Sequence, residues 1–436
     1  MKKIYQFILL LLLPLSVASQ ITPKLQAKLD QQAKEIEVKV IEWRRNFHQN
    51  PELGNREFKT GATIAEHLKS LGIKVLYPVA KTGVVGILEG GKPGPVIALR
   101  ADMDALPITE RNSLAFASKE KAIFNGQETG VMHACGHDAH VAILMGVAEI
   151  LSKNKNDLRG TVKFLFQPAE EGPPNDEEGG AFLMIKEGVL KNPKVDVVFG
   201  LHMLSLLPIG QIGYRPEGIM AAVDGLKIKV IGLGAHGATP WDSKDPIMIG
   251  SQIMNGLQTI VSRQTDLTKA PAVITIGSFH SGNRGNIIPE TAMMQGTIRS
   301  FDVDMQKTLH QKIKQTAENI AESAGAKAEV EIEIGSPVTY NDAALTAMMA
   351  PSLQRTVGMN NAIIVAPTTL AEDFSFFQEK VPGLFFFLGA YPSDIKLTNP
   401  PVHHTADFMM DEKAFVTGVR AMLNLTVDYM YAPKKK

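Results

Sequence analysis

The chain has 436 residues, 44% of them apolar and 21% charged. That allows two or three domains with proper cores and excludes wholesale disorder. Lys plus Arg number 45, as do Asp plus Glu, so no positive field favours a nucleic-acid backbone as partner, and a lone cysteine, Cys135, excludes an intrachain disulfide framework.

Residues 1–19 have the layout of a secretory signal peptide: Lys2 and Lys3, an apolar run over 8–15, then Val17-Ala18-Ser19 before a cut at Gln20. The alternative is a membrane anchor, but the run is short against the ~20 residues a spanning helix needs. Export with cleavage is the expectation, to the periplasm or the medium, with no membrane attachment afterwards. A free thiol outside the cytosol is open to oxidation unless it is buried or bound. Cys135 is therefore informative before any motif is considered.

Residues 20–71 read as two helices separated at Asn50-Pro51 through Gly54. Short apolar, β-branched runs follow at 83–88, 95–99, 162–166 and 195–200, with helical patterns at 139–151 and 181–190. This alternation predicts an α/β domain with a largely parallel sheet. The pattern changes near Tyr214. Strand, helix, strand, strand, helix, strand then run over 226–231, 246–263, 273–279, 293–298, 304–324 and 328–334. That is the split βαβ, or ferredoxin-like, order. After Gly335-Ser336-Pro337 the first pattern returns, with a strand at 384–388 and a closing helix at 412–430. The predicted organisation is one α/β domain in two parts, 20–217 and 336–436, interrupted by an α+β domain at 218–335.

Two glycine patterns are rejected. Gly232-Leu233-Gly234-Ala235-His236-Gly237 has dinucleotide spacing, but Pro240 falls where the helix should be established. Residues 86–92 resemble a phosphate loop, but Pro93 stands where a hydroxyl would hold magnesium. Neither a Gly-x-Ser-x-Gly elbow nor a His-Glu-x-x-His is present.

Four segments are dense in metal-binding side chains: Arg100-Ala101-Asp102-Met103-Asp104, His133-Ala134-Cys135-Gly136-His137-Asp138-Ala139-His140, Gln167-Pro168-Ala169-Glu170-Glu171, and His202. Three follow predicted strands and one opens a predicted helix; ligands of open α/β sheets bind beyond the carboxyl ends of strands. From a Gly-containing turn, Cys135 and His137 can offer a sulfur and an imidazole to one metal. The alternative is a buried structural cysteine beside surface histidines. Adjacent Glu170 and Glu171 repel unless a cation is present. One can bind metal while the other faces the bound water as general base. The alternative is an ordinary acidic loop, as at Asp176-Glu177-Glu178.

These segments resemble the M20 metallopeptidase family, together with Leu99 through Pro107, Phe166 through Glu171, Phe199-Gly200-Leu201-His202, Glu372-Asp373-Phe374-Ser375, Arg44-Arg45-Asn46-Phe47-His48 and Pro51-Glu52-Leu53. The closest branch is the amidohydrolases of N-acyl amino acids, such as hippurate and auxin-conjugate hydrolases. The resemblance runs from about residue 42 to the last helix. It implies a zinc-peptidase-like α/β catalytic domain with an inserted ferredoxin-like lid and dimerisation domain. It also implies two divalent ions per subunit, zinc or manganese, with cobalt or nickel acceptable.

By the same resemblance Cys135, His137, Glu171 and His202 match metal ligands. A late histidine completes the set; His403 and His404 compete for that place, and the spacing to Phe408 favours His404. Glu170 matches the general base, Asp104 a carboxylate supporting the metal site, and Asp102 a residue beside the ligands. His236 matches a histidine that polarises the scissile carbonyl, often from the partner subunit; otherwise it is a loop residue at a strand end. Asn286 and Arg299 match groups that hold the substrate carboxylate. Gly172-Pro173-Pro174 through Glu178 departs from the family as an insertion beside the metal site and bears on the shape of the acyl pocket. The implied reaction hydrolyses a small-molecule N-acyl amino acid to a carboxylic acid and an amino acid, in a homodimer. The rivals are a carboxypeptidase or dipeptidase on the same scaffold, a non-catalytic metal-binding module, and a structural dimer module built from the insert. Metal storage gives no reason for Glu170 beside Glu171.

Overall fold

A computed structural model describes residues 22–174, 177–391 and 401–432. The expected signal peptide lies outside the described residues. The stretch read as two helices holds three: α1 (Pro23–Glu35), α2 (Glu37–Gln49) and α3 (Phe58–Ser70). The extra break is a bend at Ile36, which keeps helical backbone angles, so neither glycine nor proline marks it. The break at 50–54 falls as predicted.

The chain continues through β1 (Lys74–Val79), β2 (Gly83–Glu89) and β3 (Lys92–Asp102), then a hairpin of β4 (Lys121–Phe124) and β5 (Gln127–Gly130). Next come α4 (His137–Lys153), β6 (Arg159–Gln167), α5 (Gly180–Lys186), β7 (Val197–Pro208), β8 (Ile212–Tyr214) and β9 (Glu217–Met220). The middle portion holds β10 (Ala222–Ile231), β11 (Ala235–His236), α6 (Pro246–Gln264), β12 (Ala272–Ser281), β13 (Ile287–Ile288), β14 (Thr291–Ser300), α7 (Val303–Ser323) and β15 (Lys327–Ile334). The last portion holds β16 (Thr339–Asn341), α8 (Ala343–Val357), β17 (Ala362–Ile364), α9 (Ser375–Gln378), β18 (Gly383–Tyr391) and α10 (Phe415–Tyr431).

The large sheet has the order β1-β2-β6-β3-β7-β18-β8-β17. Its centre, β6-β3-β7-β18, is parallel. Towards its flanks β1–β2, β2–β6 and β18–β8 pair antiparallel, while the last pair, β8–β17, is parallel again. The sheet is therefore mixed rather than largely parallel. The cause on one side is a short connection. Ala80 and Lys81 take left-handed φ values of 47° and 77° in the tight turn from β1 to β2, and a turn that short can join only antiparallel strands.

Every residue of α4 from His137 to Leu151 is buried, apolar from Val141 to Ala148, as expected of a helix enclosed by its neighbours. In the middle portion the order β12-β14-β10-β15, with every neighbour antiparallel, is that of the split βαβ unit. β10 alternates, burying Leu226, Ile228 and Val230 against Ile253 and Leu257 of α6 and Leu309 and Ile313 of α7. Its other face carries Lys227, which approaches Glu331 and Glu333 of β15.

This topology sets the site. β3 ends at Asp102, in register with Gln167 at the end of β6, and β7 carries His202 on the other side of β3. The carboxyl ends of β3 and β6 and the middle of β7 thus lie side by side, and the first turn of α4 brings His137 to them.

Candidate metal centre and active site

Cys135 lies at the centre. Its Sγ is 3.4 Å from His202 Nε2 and 3.3 Å from His404 Nε2, and His404 Nε2 is 2.9 Å from Glu171 Oε1. His137 Nε2 lies 3.8 Å from Glu170 Oε2 and 4.0 Å from Glu171 Oε1. Two ligand-type groups share the cysteine: Cys135, His137 and His202, and Cys135, Glu171 and His404, the donor atoms of each lying within 4.8 Å of one another.

Backbone contacts fix which ring nitrogen faces inward. His137 Nδ1 donates to the carbonyl of Asp104 at 2.9 Å, and His202 Nδ1 donates to the carbonyl of Met203 at 2.7 Å. In each case the Nε2 lone pair is left towards the cluster, and that of His137 is buried with no hydrogen-bond partner. Orientation of this kind is what a metal-binding imidazole requires. The other two imidazoles are committed. His140 Nε2 accepts the Met203 amide at 2.8 Å while Nδ1 donates to Asp102 Oδ1 at 2.5 Å. His403 Nε2 accepts the Ser205 amide at 3.2 Å while Nδ1 donates to the Cys135 carbonyl at 3.1 Å. Of the two late histidines, His404 is therefore the one that turns a nitrogen to Cys135 and Glu171.

The electrostatics fit a cation. Burial would lower the pKa of His137, but the charges of Asp102, Asp104 and Glu171 lift it to about 10; the field there demands positive charge. Burial, then Glu171 and Glu170, push the Cys135 thiol up, so a thiolate needs a cation beside it. Burial drops His202 to about 4, keeping its ring neutral and ligand-competent. Burial alone would raise Glu171, but the His404 ring and the charge of His137 hold it below the usual carboxylate range. Sulfur, imidazole and carboxylate together are a donor set for divalent transition ions.

A family model described as Peptidase family M20/M25/M40 matches residues 98–428. The chain belongs to this family. "Thermostable carboxypeptidase 2" of Saccharolobus solfataricus is 41% identical, over 92% of this chain and 98% of that one. "N-acetyl-L-cysteine deacetylase" of Bacillus subtilis is 39% identical, over 87% of this chain and 86% of that one. A Bacillus subtilis structure titled as a dinuclear metal binding peptidase from M20 family superposes with a TM-score of 0.77 at 33% identity, over 92% of this chain and all of that one.

Asp104 accepts the Glu171 amide on Oδ2 at 3.0 Å and lies 3.2 Å from His137 Nδ1 through Oδ1, so it touches two ligand-type residues from behind. Asp102 is taken up by Arg100 and His140, each at 2.5 Å. Glu170 Oε1 accepts the Asp373 amide at 3.4 Å. Burial, then the charges of Glu372, Glu171 and Asp373, push its carboxyl well above the usual range.

His236 and Asn286 lie together in the middle portion: the Asn286 carbonyl accepts the Gly237 amide at 2.9 Å, and both residues line one cleft with Arg284. Arg299 sits in β14 opposite Val223 and Val273 and is not among the lining residues of that cleft. No hydrogen bond or ion pair joins any of the three to the Cys135 cluster among the described residues. Within the stretch read as an insertion, Glu177 is tied down, taking Arg56 at 2.6 Å with Lys81 and Asn55 as further partners.

One residue with a large role is missed by motif reading. Arg100, fully buried, donates from Nε to Gln167 at 2.8 Å and from Nη2 to Glu372 and Asp373 at 2.7 and 3.0 Å, besides Asp102. The available signal was an arginine ending an apolar strand, a charge that must find partners once buried.

Proposed function

We propose that the chain is a metal-dependent amidohydrolase that cleaves N-acyl amino acids to a carboxylic acid and a free amino acid. The observation that carries this reading is the meeting of four ligand-type side chains around a fifth, Cys135, beside the mostly buried carboxyl of Glu170. Cys135, His137, Glu171, His202 and His404 would hold two divalent ions; sulfur and imidazole suit zinc, and the carboxylate share also suits manganese, cobalt or nickel. Such ions, when bound, polarise a carbonyl and lower the pKa of bound water from 15.7 to about 7.

Glu170 takes a proton from the attacking water and gives it to the leaving nitrogen. Its buried, acidic surroundings make the carboxyl hold that proton until the amine departs. Asp104 keeps His137 and the Glu171 backbone in place, and Arg100 fixes Glu372 and Asp373 around the base. His236, brought by the insert to the other subunit of a homodimer, polarises the acyl oxygen; Asn286 and Arg299 hold the amino-acid carboxylate. Residues 1–19 direct export and are removed. N-terminal sequencing of the exported protein and light scattering of the purified one test these last two points.

A second reading, a carboxypeptidase or dipeptidase, is favoured by the name of the Saccharolobus relative. One experiment separates the two: hydrolysis of a panel of N-acyl amino acids and dipeptides after loading with each candidate metal. Faster turnover of the acyl amino acids supports the proposal; turnover of peptides alone supports the second reading. Glu170→Gln should keep its metal and lose about 10²–10⁴-fold in kcat. Unchanged turnover would remove Glu170 as the base.

A further inference from the structure

The turn that carries Glu170 and Glu171 is held by two buried carboxyl groups, and motif and mechanism account for only one of them. Asp104 takes the Glu171 amide. Glu57, from the start of α3, takes the amide of Ala169 on Oε1 at 2.8 Å. Pro168 has no amide proton, so Ala169 offers the first backbone donor after β6.

Ala169 is in an unusual state. Its φ is +49°, a left-handed conformation that costs a non-glycine residue free energy unless its surroundings impose it. Those surroundings are tight. A Cβ added to Gly54 would meet Ala169 Cα and Cβ at 3.2 Å, and one added to Gly180 would meet its carbonyl at 3.1 Å. Packing shapes the space; the Glu57 carboxyl supplies the directional contact that sets the peptide plane.

Glu57 is itself fully buried and fixed. Thr82, also fully buried, donates its hydroxyl to Oε2 at 2.6 Å. The next residue, Gly83, begins β2 with Pro168 Cδ only 2.8 Å from where its Cβ would stand. The same stretch of chain reaches the other strand end: the Glu52 carbonyl accepts the Ala105 amide at 2.8 Å. By contrast, among the described residues the Glu170 side chain has one long hydrogen bond, from the Asp373 amide at 3.4 Å, and the His137 ring at 3.8 Å. Its aim depends on the backbone that precedes it.

We infer that Glu57 is a positioning residue for Glu170, fixing through the Ala169 amide the turn that points the base at the Cys135 cluster. The inference rests on the reading of Glu170 as the proton-transferring group. Glu57 reaches neither substrate nor metal; it acts through one peptide bond.

The test uses the full, metal-loaded chain and the fastest N-acyl amino acid of the panel above. Glu57→Ala should lower kcat about 10²-fold, the cost of a base misplaced by about 1 Å, with KM within about threefold. Metal content should be that of the parent. Glu57→Gln keeps an acceptor oxygen for Ala169 and should restore kcat to within about tenfold. In a Glu170→Gln background, Glu57→Ala should cost nothing further, because the two act as one unit. Parent-like kcat in Glu57→Ala overturns the inference, as does metal loss in step with activity or an equal fold-loss in the Glu170→Gln background. If Glu57→Ala does not fold, Thr82→Val, which removes only the hydroxyl donor, takes its place. It should show a smaller kcat loss with the same non-additivity, and a parent-like kcat overturns the inference. Full turnover in Glu170→Gln alone would instead sink the reading of Glu170, and this inference with it.

Discussion

His403 and His404 are neighbours in the chain, yet their rings face opposite duties: His403 is pinned by two backbone groups while His404 turns Nε2 to within 3.3 Å of Cys135 Sγ. The division comes from the backbone. His404 has a φ of +60°, and that left-handed step swings consecutive side chains to different sides.

It follows that the two alanine variants should fail differently. His404→Ala should lose metal stoichiometry and turnover while folding normally. His403→Ala should keep its metal but strand a buried amide and a carbonyl, losing about 1–3 kcal/mol of stability. Metal analysis beside urea unfolding of both variants checks this, and the opposite pattern would return the ligand role to His403.

Arg100 joins residues far apart in the chain: Asp102 and Gln167 on one side, and Glu372 and Asp373, 272 and 273 positions away, on the other. Its charge is what permits three carboxylates to be buried together. Arg100→Met should destabilise the metal-free chain by about 3–5 kcal/mol, the usual cost of leaving buried charge uncompensated. Arg100→Lys should recover little, since a point charge cannot make the forked contacts. A loss below ~1 kcal/mol in denaturant titration would contradict this.

Gly136 separates Cys135 from His137 with a φ of +107°, and a Cβ there would meet Met203 Cβ at 3.2 Å. Gly136→Ala should cost about 1–3 kcal/mol through backbone strain and reduce metal content by tilting the sulfur away from the imidazole. Full metal loading in a stable Gly136→Ala protein would show that the turn tolerates a side chain.

Much of this was legible before folding. The runs at 83–88, 95–99 and 162–166 became β2, β3 and β6, because β-branched apolar stretches bounded by turns have few other outcomes. The strand order of the middle portion was legible because β10 and β15 alternate. Elements carrying contrary signals were missed: β1 contains Pro78 and sits at a sheet edge, and α8 continues through Pro351. At the site, spacing brought out Cys135, His137, Glu170 and Glu171, which lie close in sequence. The choice between His403 and His404 needed backbone partners more than 190 residues away in the case of Ser205. The roles of Arg100 and Glu57 depend wholly on such distant pairings.

The buried Glu57 carboxyl also predicts a pH dependence of stability. Burial raises it, the nearby Asp104 charge raises it further, and the Thr82 hydrogen bond only partly offsets them, leaving it at about 8. The folded chain therefore holds this proton up to a higher pH than the unfolded chain does, and stability falls as pH rises between the two values. Below about pH 4.5 both states are protonated and no penalty exists; above about pH 8 the folded state must bury the charge. Asp373, lifted to about 7 by burial and Glu372 against the pull of Arg100, adds a slope of the same sign, but one common to parent and variant. Glu57→Gln carries no charge, so its unfolding free energy should match the parent near pH 5 and exceed it progressively towards pH 9. Urea titrations of both metal-free proteins across that range decide the matter. Parallel curves, or a parent that gains on the variant at high pH, would mean that Glu57 is already ionised in the folded chain at neutral pH.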